Sequence, residues 1–113
     1  MKITVFGGSS PLPENPAYQF AYDLGYYLAQ TGHTVLTGGY MGTMEATSKG
    51  AAEAGGHVIG VTCQEIENWR NRVHNPWVKE EWKSKTLQDR MIKLIDNCDL
   101  AIALPGGAGT LAE

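Results

Sequence analysis

The sequence predicts an α/β domain built on a doubly wound parallel sheet, and three observations lead there. Short β-rich runs alternate with segments of helical periodicity along the chain. Glycine clusters stand directly after three of those runs. Capping residues mark the starts of the intervening helices. Alternation of this kind implies parallel strands joined by right-handed crossovers.

Residues 3–6 form the first apolar run and end at Gly7-Gly8. Asn15 then reads as an N-cap with Pro16 at the first helical position. Phe20, Leu24, Tyr27 and Leu28 fall on one face of the helix that follows, and Gly32 can close it. Residues 33–37 give a second strand running into Gly38-Gly39. A helix rich in Ala and Ser is predicted over 43–54, stopped by Gly55-Gly56, with side chains small enough for its backbone to lie close to the sheet. Residues 57–61 are the third strand. Thr86 and Asp89 pair as a cap for a helix with Leu87, Met91, Leu94, Ile95 and Cys98 on one face, and residues 100–104 are the fourth strand. The stretch 64–85 breaks the rhythm with Trp69, Trp77, Trp82 and Asn75-Pro76. It reads either as a solvated connection with its aromatics tucked against the body, or as a lid or subunit-interface segment.

Composition narrows the function classes. The chain has 113 residues, 42% apolar and 19% charged, with a net charge of -3. That suits a single globular domain over residues 1–113 and, with no basic run, argues against a nucleic-acid surface. No stretch of apolar residues is long enough for a membrane span, and the N-terminal run is too short for a signal-peptide core, so a cytoplasmic protein is expected. Cys63 and Cys98 form no metal or redox pattern and read as buried, reduced thiols. His33, His57 and His74 are not at metal-ligand spacing, so no metal is expected. None of Lys2, Lys49, Lys79, Lys83, Lys85 and Lys93 stands in a glycine-rich turn at a strand end, which speaks against a pyridoxal-phosphate enzyme.

Glycine is the anomaly, at 14 of 113 residues. The turns Gly7-Gly8-Ser9-Ser10, Gly38-Gly39-Tyr40-Met41-Gly42-Thr43 and Gly106-Gly107-Ala108-Gly109-Thr110 follow the first, second and fourth strands. With the first strand flanked by those two, all three turns meet on one sheet edge, at the switch in strand order where such folds bind ligands. Glycines let backbone N–H groups approach a phosphate, and a helix N-terminus behind them adds a favourable dipole. Neither G-x-G-x-x-G after the first strand nor a P-loop occurs, so a dehydrogenase or P-loop ATPase is a poor reading. The expectation is a Rossmann-like nucleotide-binding domain.

The last of these turns carries a resemblance. Pro105-Gly106-Gly107-Ala108-Gly109-Thr110-Leu111-Ala112-Glu113 matches the P-G-G-x-G-T-x-x-E motif of the LOG family at every specified position. These are cytokinin riboside 5'-monophosphate phosphoribohydrolase-like proteins, formerly labelled lysine decarboxylases. Leu87-Gln88-Asp89-Arg90-Met91 resembles the family's M-x-E-R-K segment, with Met91 in place of the lysine. Gly38 to Glu45 resembles the second glycine loop in its bacterial-subgroup form, Glu45 included, and Phe6 to Ser10 resembles the first.

The resemblance implies a cofactor-free hydrolase acting on AMP-like nucleoside 5'-monophosphates, releasing free base and ribose 5-phosphate, and working as a homodimer. Arg90 and Glu113 would be the catalytic residues. A carboxylate can stabilise the positive charge that grows on the ribose and orient the attacking water. A guanidinium offers a fixed fork to phosphate or to a leaving base. Gly106, Gly107, Ala108, Gly109 and Thr110 would hold the phosphate, and Gly8, Ser9, Gly38, Gly39 and Gly42 would complete the substrate site. The alternative is a nucleotide-binding sensor of the same fold without turnover. Because the last glycine turn should open a helix, the natural protein is expected to continue beyond Glu113, making this chain its N-terminal part.

Overall fold

In the computed structural model, which describes residues 1–8, 13–70 and 74–104, five parallel strands form one sheet. The elements in chain order are β1 (Lys2–Phe6), α1 (Pro16–Gln30), β2 (Thr34–Thr37), α2 (Thr43–Glu53), β3 (Val58–Cys63), α3 (Gln64–Arg70), β4 (Glu80–Ser84), α4 (Leu87–Asp96) and β5 (Leu100–Ala103). The sheet order is β4-β3-β2-β1-β5. β1 therefore lies between β2 and β5, with Ile3 opposite Val35 on one side and Leu100 on the other. This is the doubly wound, Rossmann-like α/β arrangement, and the reversal of strand order falls at β1.

Local chemistry sets the element ends as expected. Asn15 Oδ1 accepts the Ala17 N–H at 2.8 Å, with Pro16 at the first helical position. Thr86 Oγ1 accepts the Asp89 N–H at 3.2 Å and so caps α4. Gly32, at φ +87°, follows the end of α1 in the left-handed conformation that glycine adopts without strain.

The buried face of α1 differs from the expected one. Phe20 is 60% exposed and Tyr27 62%, whereas Tyr18, Ala21, Gly25 and Leu28 are buried. Close approach of α1 to α2 decides this. A Cβ on Gly25 would lie 2.1 Å from the Thr47 carbonyl oxygen, and one on Gly50 would lie 2.1 Å from that of Tyr22. Only the stripe of small residues permits such a crossing, so the bulky aromatics turn outward. A core of Ile3, Val5, Val35, Ala46, Ala51 and Val58 fills the space beneath the two helices. On the opposite sheet face, α4 covers Phe6, Leu36, Ile59 and Val61 with Leu94. Its Ile95 is more than half exposed and Cys98 half-buried, so the α4 face is narrower than its apolar periodicity suggests. Cys63 is buried, and both thiols are free.

The stretch 64–85 contains a helix, α3, and a fifth strand that the sequence pattern does not announce. β4 pairs with β3 from Ile59 opposite Glu80 to Cys63 opposite Ser84. Its sequence, Glu-Glu-Trp-Lys-Ser, has few apolar residues to reveal it, and charged side chains are common on a sheet's edge strand. Trp82 packs against the core under α4, with the Lys2 ammonium 5.9 Å from its ring centre. Trp77 receives the Lys49 ammonium at 5.6 Å. Among the described residues no helix is long and apolar enough to cross a membrane.

Gly50→Ala tests the helix crossing. Alanine is the better helix former by about 1 kcal/mol, yet the clash should reverse the sign and destabilise the domain by about 1–3 kcal/mol. Urea unfolding measures it, and a stabilised variant would mean that the helices can separate at no cost.

Candidate functional site

The first and second glycine turns are stitched together at the carboxyl edge of the sheet. Gly8 O accepts both the Thr43 N–H at 3.0 Å and the Thr43 hydroxyl at 2.8 Å. A Cβ on Gly7 would meet Thr43 Oγ1 at 2.1 Å, so this approach requires glycine. Thr43 is also the first residue of α2. The helix has Gly42 as its N-cap, at φ +69°, with no side-chain cap. The Met44 and Glu45 amides have no hydrogen-bond partner among the described residues. Uncapped first-turn amides beside a glycine turn form the kind of electropositive edge that holds an anion.

The second turn is held from behind. Three consecutive carbonyls accept donors from the body of the domain. Gly38 O takes Arg90 Nη2 at 2.9 Å, Gly39 O takes the Asn75 N–H at 2.8 Å, and Tyr40 O takes Asn75 Nδ2 at 2.7 Å. Gly39 is at φ +84°, a conformation that side chains with a Cβ rarely adopt. Tyr40 is buried below the turn. Its hydroxyl accepts the Cys63 N–H at 2.8 Å and donates to the Glu67 carboxylate at 3.0 Å. Burial raises its pKa well above the ordinary tyrosine value, and the Glu67 carboxylate adds to the rise against the lowering effect of the Cys63 amide. Glu67 in turn binds Lys83 of β4 at 2.7 Å. Glu65 Oε1 accepts the Leu87 N–H at 2.9 Å and so joins α3 to the start of α4.

Arg90 is 1% exposed. Its Nε donates to Val61 O at 2.9 Å, its Nη2 to Gly38 O and toward Met44 Sδ at 3.5 Å, and its guanidinium lies 5.5 Å from the Tyr40 ring centre. It therefore joins Gly38, just past β2, to Val61 of β3, beyond the last β2–β3 pair of Thr37 and Gly60, beneath the second glycine turn. Glu45 sits half-buried in the first turn of α2. Tyr18 lies close by, and its pKa is pushed up to about 12 by burial and then by the Glu45 charge. An apolar cavity of about 170 Å³ opens beside the α2 start, lined by Ala17, Phe20, Thr43 and Leu104. His33 bonds the N-terminal amine and His57 bonds Glu80, which leaves both away from this edge.

Of the site residues expected from sequence, Gly8, Gly38, Gly39, Gly42 and Arg90 are brought to this edge. Ser9, Gly106, Gly107, Ala108, Gly109, Thr110 and Glu113 lie outside the described residues. Asn75 and Thr43 are the contributors that sequence reasoning did not single out as site residues. The available signal for Asn75 was its place before Pro76, where its Oδ1 accepts the Trp77 N–H at 3.0 Å in an Asx turn.

A model of the SLOG cluster4 family matches residues 1–113. The chain belongs to that LOG-like family. An uncharacterized protein of Archaeoglobus fulgidus is 28% identical over all of the chain and 70% of its own length. A cytokinin riboside 5'-monophosphate phosphoribohydrolase of Arabidopsis thaliana is 32% identical over 99% of the chain and 52% of its own length. A probable enzyme of that name from Oryza sativa subsp. japonica is 33% identical over 99% and 45%. The crystal structure of TM1055 superposes with a TM-score of 0.82 at 33% identity, covering 99% of this chain and 65% of that one. The molybdenum cofactor carrier protein of Chlamydomonas reinhardtii gives 0.80 at 28% identity, covering 99% and 66%. This SLOG-family chain thus spans about half the length of the plant relatives and two thirds of the solved structures.

Two substitutions test the geometry of the site. Arg90→Ala leaves the Gly38 and Val61 carbonyls without these donors and should cost roughly 3 kcal/mol of folding stability, seen as a lowered denaturation midpoint. An unchanged midpoint would show that the arginine does not support the strand ends. Thr43→Val removes the hydroxyl donor to Gly8 and should cost about 1 kcal/mol by the same measurement.

Proposed function

We propose that the carboxyl edge binds the phosphate of a nucleoside 5'-monophosphate, and that the natural protein hydrolyses its N-glycosidic bond. The observation that carries this reading is the stitched pair of glycine turns with the first turn of α2 behind them, whose Met44 and Glu45 amides no described residue caps, in a chain of a LOG-like family. The phosphate would lie between the Gly106–Thr110 turn, assigned by motif resemblance, and the Gly38–Gly42 turn with the α2 amides. The apolar cavity beside Phe20 would take the less polar part of the ligand.

In the reaction, water adds to C1' of the ribose and the base leaves with a proton, giving ribose 5-phosphate. Charge on the oxocarbenium-like transition state would be met by the carboxylate of Glu113, assigned by motif resemblance. Arg90 acts in this reading through the second glycine turn, which its guanidinium supports. A cytoplasmic location, expected from the sequence pattern, and a homodimer, carried by the resemblance, are part of the same proposal.

A second reading has its own support. Solved structures at TM-score 0.80 include a molybdenum cofactor binding protein of Rippkaea orientalis and the carrier protein of Chlamydomonas reinhardtii. A carrier that holds its ligand without turnover would use the same edge.

The separating experiment incubates the natural protein with AMP and base-modified nucleoside monophosphates and follows free base and ribose 5-phosphate. The expected result is base release that Glu113→Gln lowers by about 100-fold or more with an unchanged melting temperature. Arg90→Ala is the poorer diagnostic, because its folding defect would lower any activity. If a nucleotide raises the melting temperature but is never cleaved, the hydrolase reading fails and a nucleotide-binding sensor without turnover replaces it.

A further inference from the structure

We infer that Phe20 is the specificity-determining residue of this edge: it stacks on a planar ring system of the ligand and so separates ring-bearing phosphate monoesters from plain sugar phosphates. The inference rests on the proposed binding of a phosphate beside the glycine turns.

Phe20 is a large apolar side chain left 60% exposed. The close crossing of α1 over α2 turns it outward, together with Tyr27. The two differ in where they stand. α1 follows β1 in a parallel sheet, so it starts at the carboxyl edge, and Phe20 lies about one turn from that start. Tyr27 is roughly 10 Å further along the helix axis. Phe20 is thus the exposed aromatic of α1 that reaches the ligand edge, and among the described residues no other aromatic ring stacks on it.

The cavity of about 170 Å³ that Phe20 lines brings three elements together. Ala17 comes from the first turn of α1, Thr43 opens α2, and Leu104 stands just past β5. All three surround the end of β1, where the strand order reverses and such folds bind ligands. Thr43 is the polar member of this lining, and its hydroxyl already donates to Gly8 O at 2.8 Å. The residues after Thr43 are Met44 and Glu45, whose amides no described residue caps. An anion-binding end and an apolar end therefore adjoin at one residue.

Chemistry decides which part of a ligand enters the apolar end. A ribose placed there would lose water from its hydroxyls and find no free partner, which is costly. The faces of an aromatic ring need none. A dry apolar cavity of roughly 150 Å³ is enough to hold a benzene ring, so this volume, open on one side, admits a heteroaromatic base. Stacking on an aromatic side chain is strong and tolerant of the base's identity, because every base has a π-face. Phe20 thus reads the presence of a ring. In the hydrolase reading the product ribose 5-phosphate lacks that contact and is held more weakly than the substrate.

The test uses the natural protein, with Phe20→Ala, Phe20→Leu and Phe20→Tyr as variants. Two ligands are titrated calorimetrically. One is formycin 5'-monophosphate, an AMP isostere whose carbon–carbon glycosidic bond is not open to hydrolysis. The other is ribose 5-phosphate. Melting temperature and mass by light scattering are followed alongside.

The expected result is that the unsubstituted protein binds the ring-bearing ligand more tightly. Phe20→Ala and Phe20→Leu should weaken that ligand about tenfold and leave ribose 5-phosphate within about twofold. Phe20→Tyr, which keeps a ring, should retain the preference, and all three melting temperatures should stay close to the unsubstituted value. The inference is overturned if the alanine and leucine variants keep the preference, or if they lose both ligands equally. A change of mass with the preference intact also overturns it, since Phe20 then belongs to a subunit contact. Binding of both ligands equally by the unsubstituted protein defeats the role of Phe20 but leaves the phosphate site standing. Binding of neither defeats the phosphate-site reading itself.

Discussion

A guanidinium buried beneath a glycine turn is the constraint around which this domain's functional edge is organised. Arg90 carries its charge to 1% exposure, where leaving a polar group unsatisfied is costly. It meets that cost with the Val61 and Gly38 carbonyls, which lie just beyond the last pair of the β2–β3 ladder, and with the face of Tyr40. Carbonyls beyond the last pair of a parallel ladder lack the next ladder partner, so a donor with several N–H groups in a rigid plane suits the position. The same bonds locate α4 over β3 and hold the start of the second glycine turn. Fold and site thereby share one side chain.

The opposite face of the sheet contributes in a different way. Gly25 and Gly50 let α1 and α2 cross with backbone in contact, which draws the α2 N-terminus toward β1. Thr43 can then reach Gly8 with both its amide and its hydroxyl. Phosphate recognition in the proposed reading needs that convergence, because the N-terminal dipole of a helix acts only over its first turn. Two helix glycines far from the ligand edge are therefore part of how the edge is assembled.

Local chemistry made much of this legible in advance. The cap at Asn15-Pro16, the stop at Gly32, the Thr86 cap and four of the strands depend on near neighbours in sequence, and each stands where its residue types place it. The glycine turns after β1 and β2 were legible for the same reason. The pair formed by Arg90 and Gly38 was not, since 52 residues separate them. Nor was the role of Asn75, whose meaning depends on the position of Tyr40, 35 residues away. β4 was hidden because an edge strand of charged residues lacks the apolar alternation that marks a half-buried strand.

By itself, the sequence determined the fold class, the strand neighbours of β1, the positions of the glycine turns and the resemblance to the LOG family. Those depend on periodicity, turn chemistry and motif spacing, which act over a few residues or one supersecondary unit. Tertiary structure alone decided which face of α1 is buried, that β4 exists, and that Arg90 and Asn75 grip the second glycine turn from behind. Each of these is set by which surfaces meet across the sheet, where close packing and hydrogen-bond satisfaction between distant residues outweigh local preference.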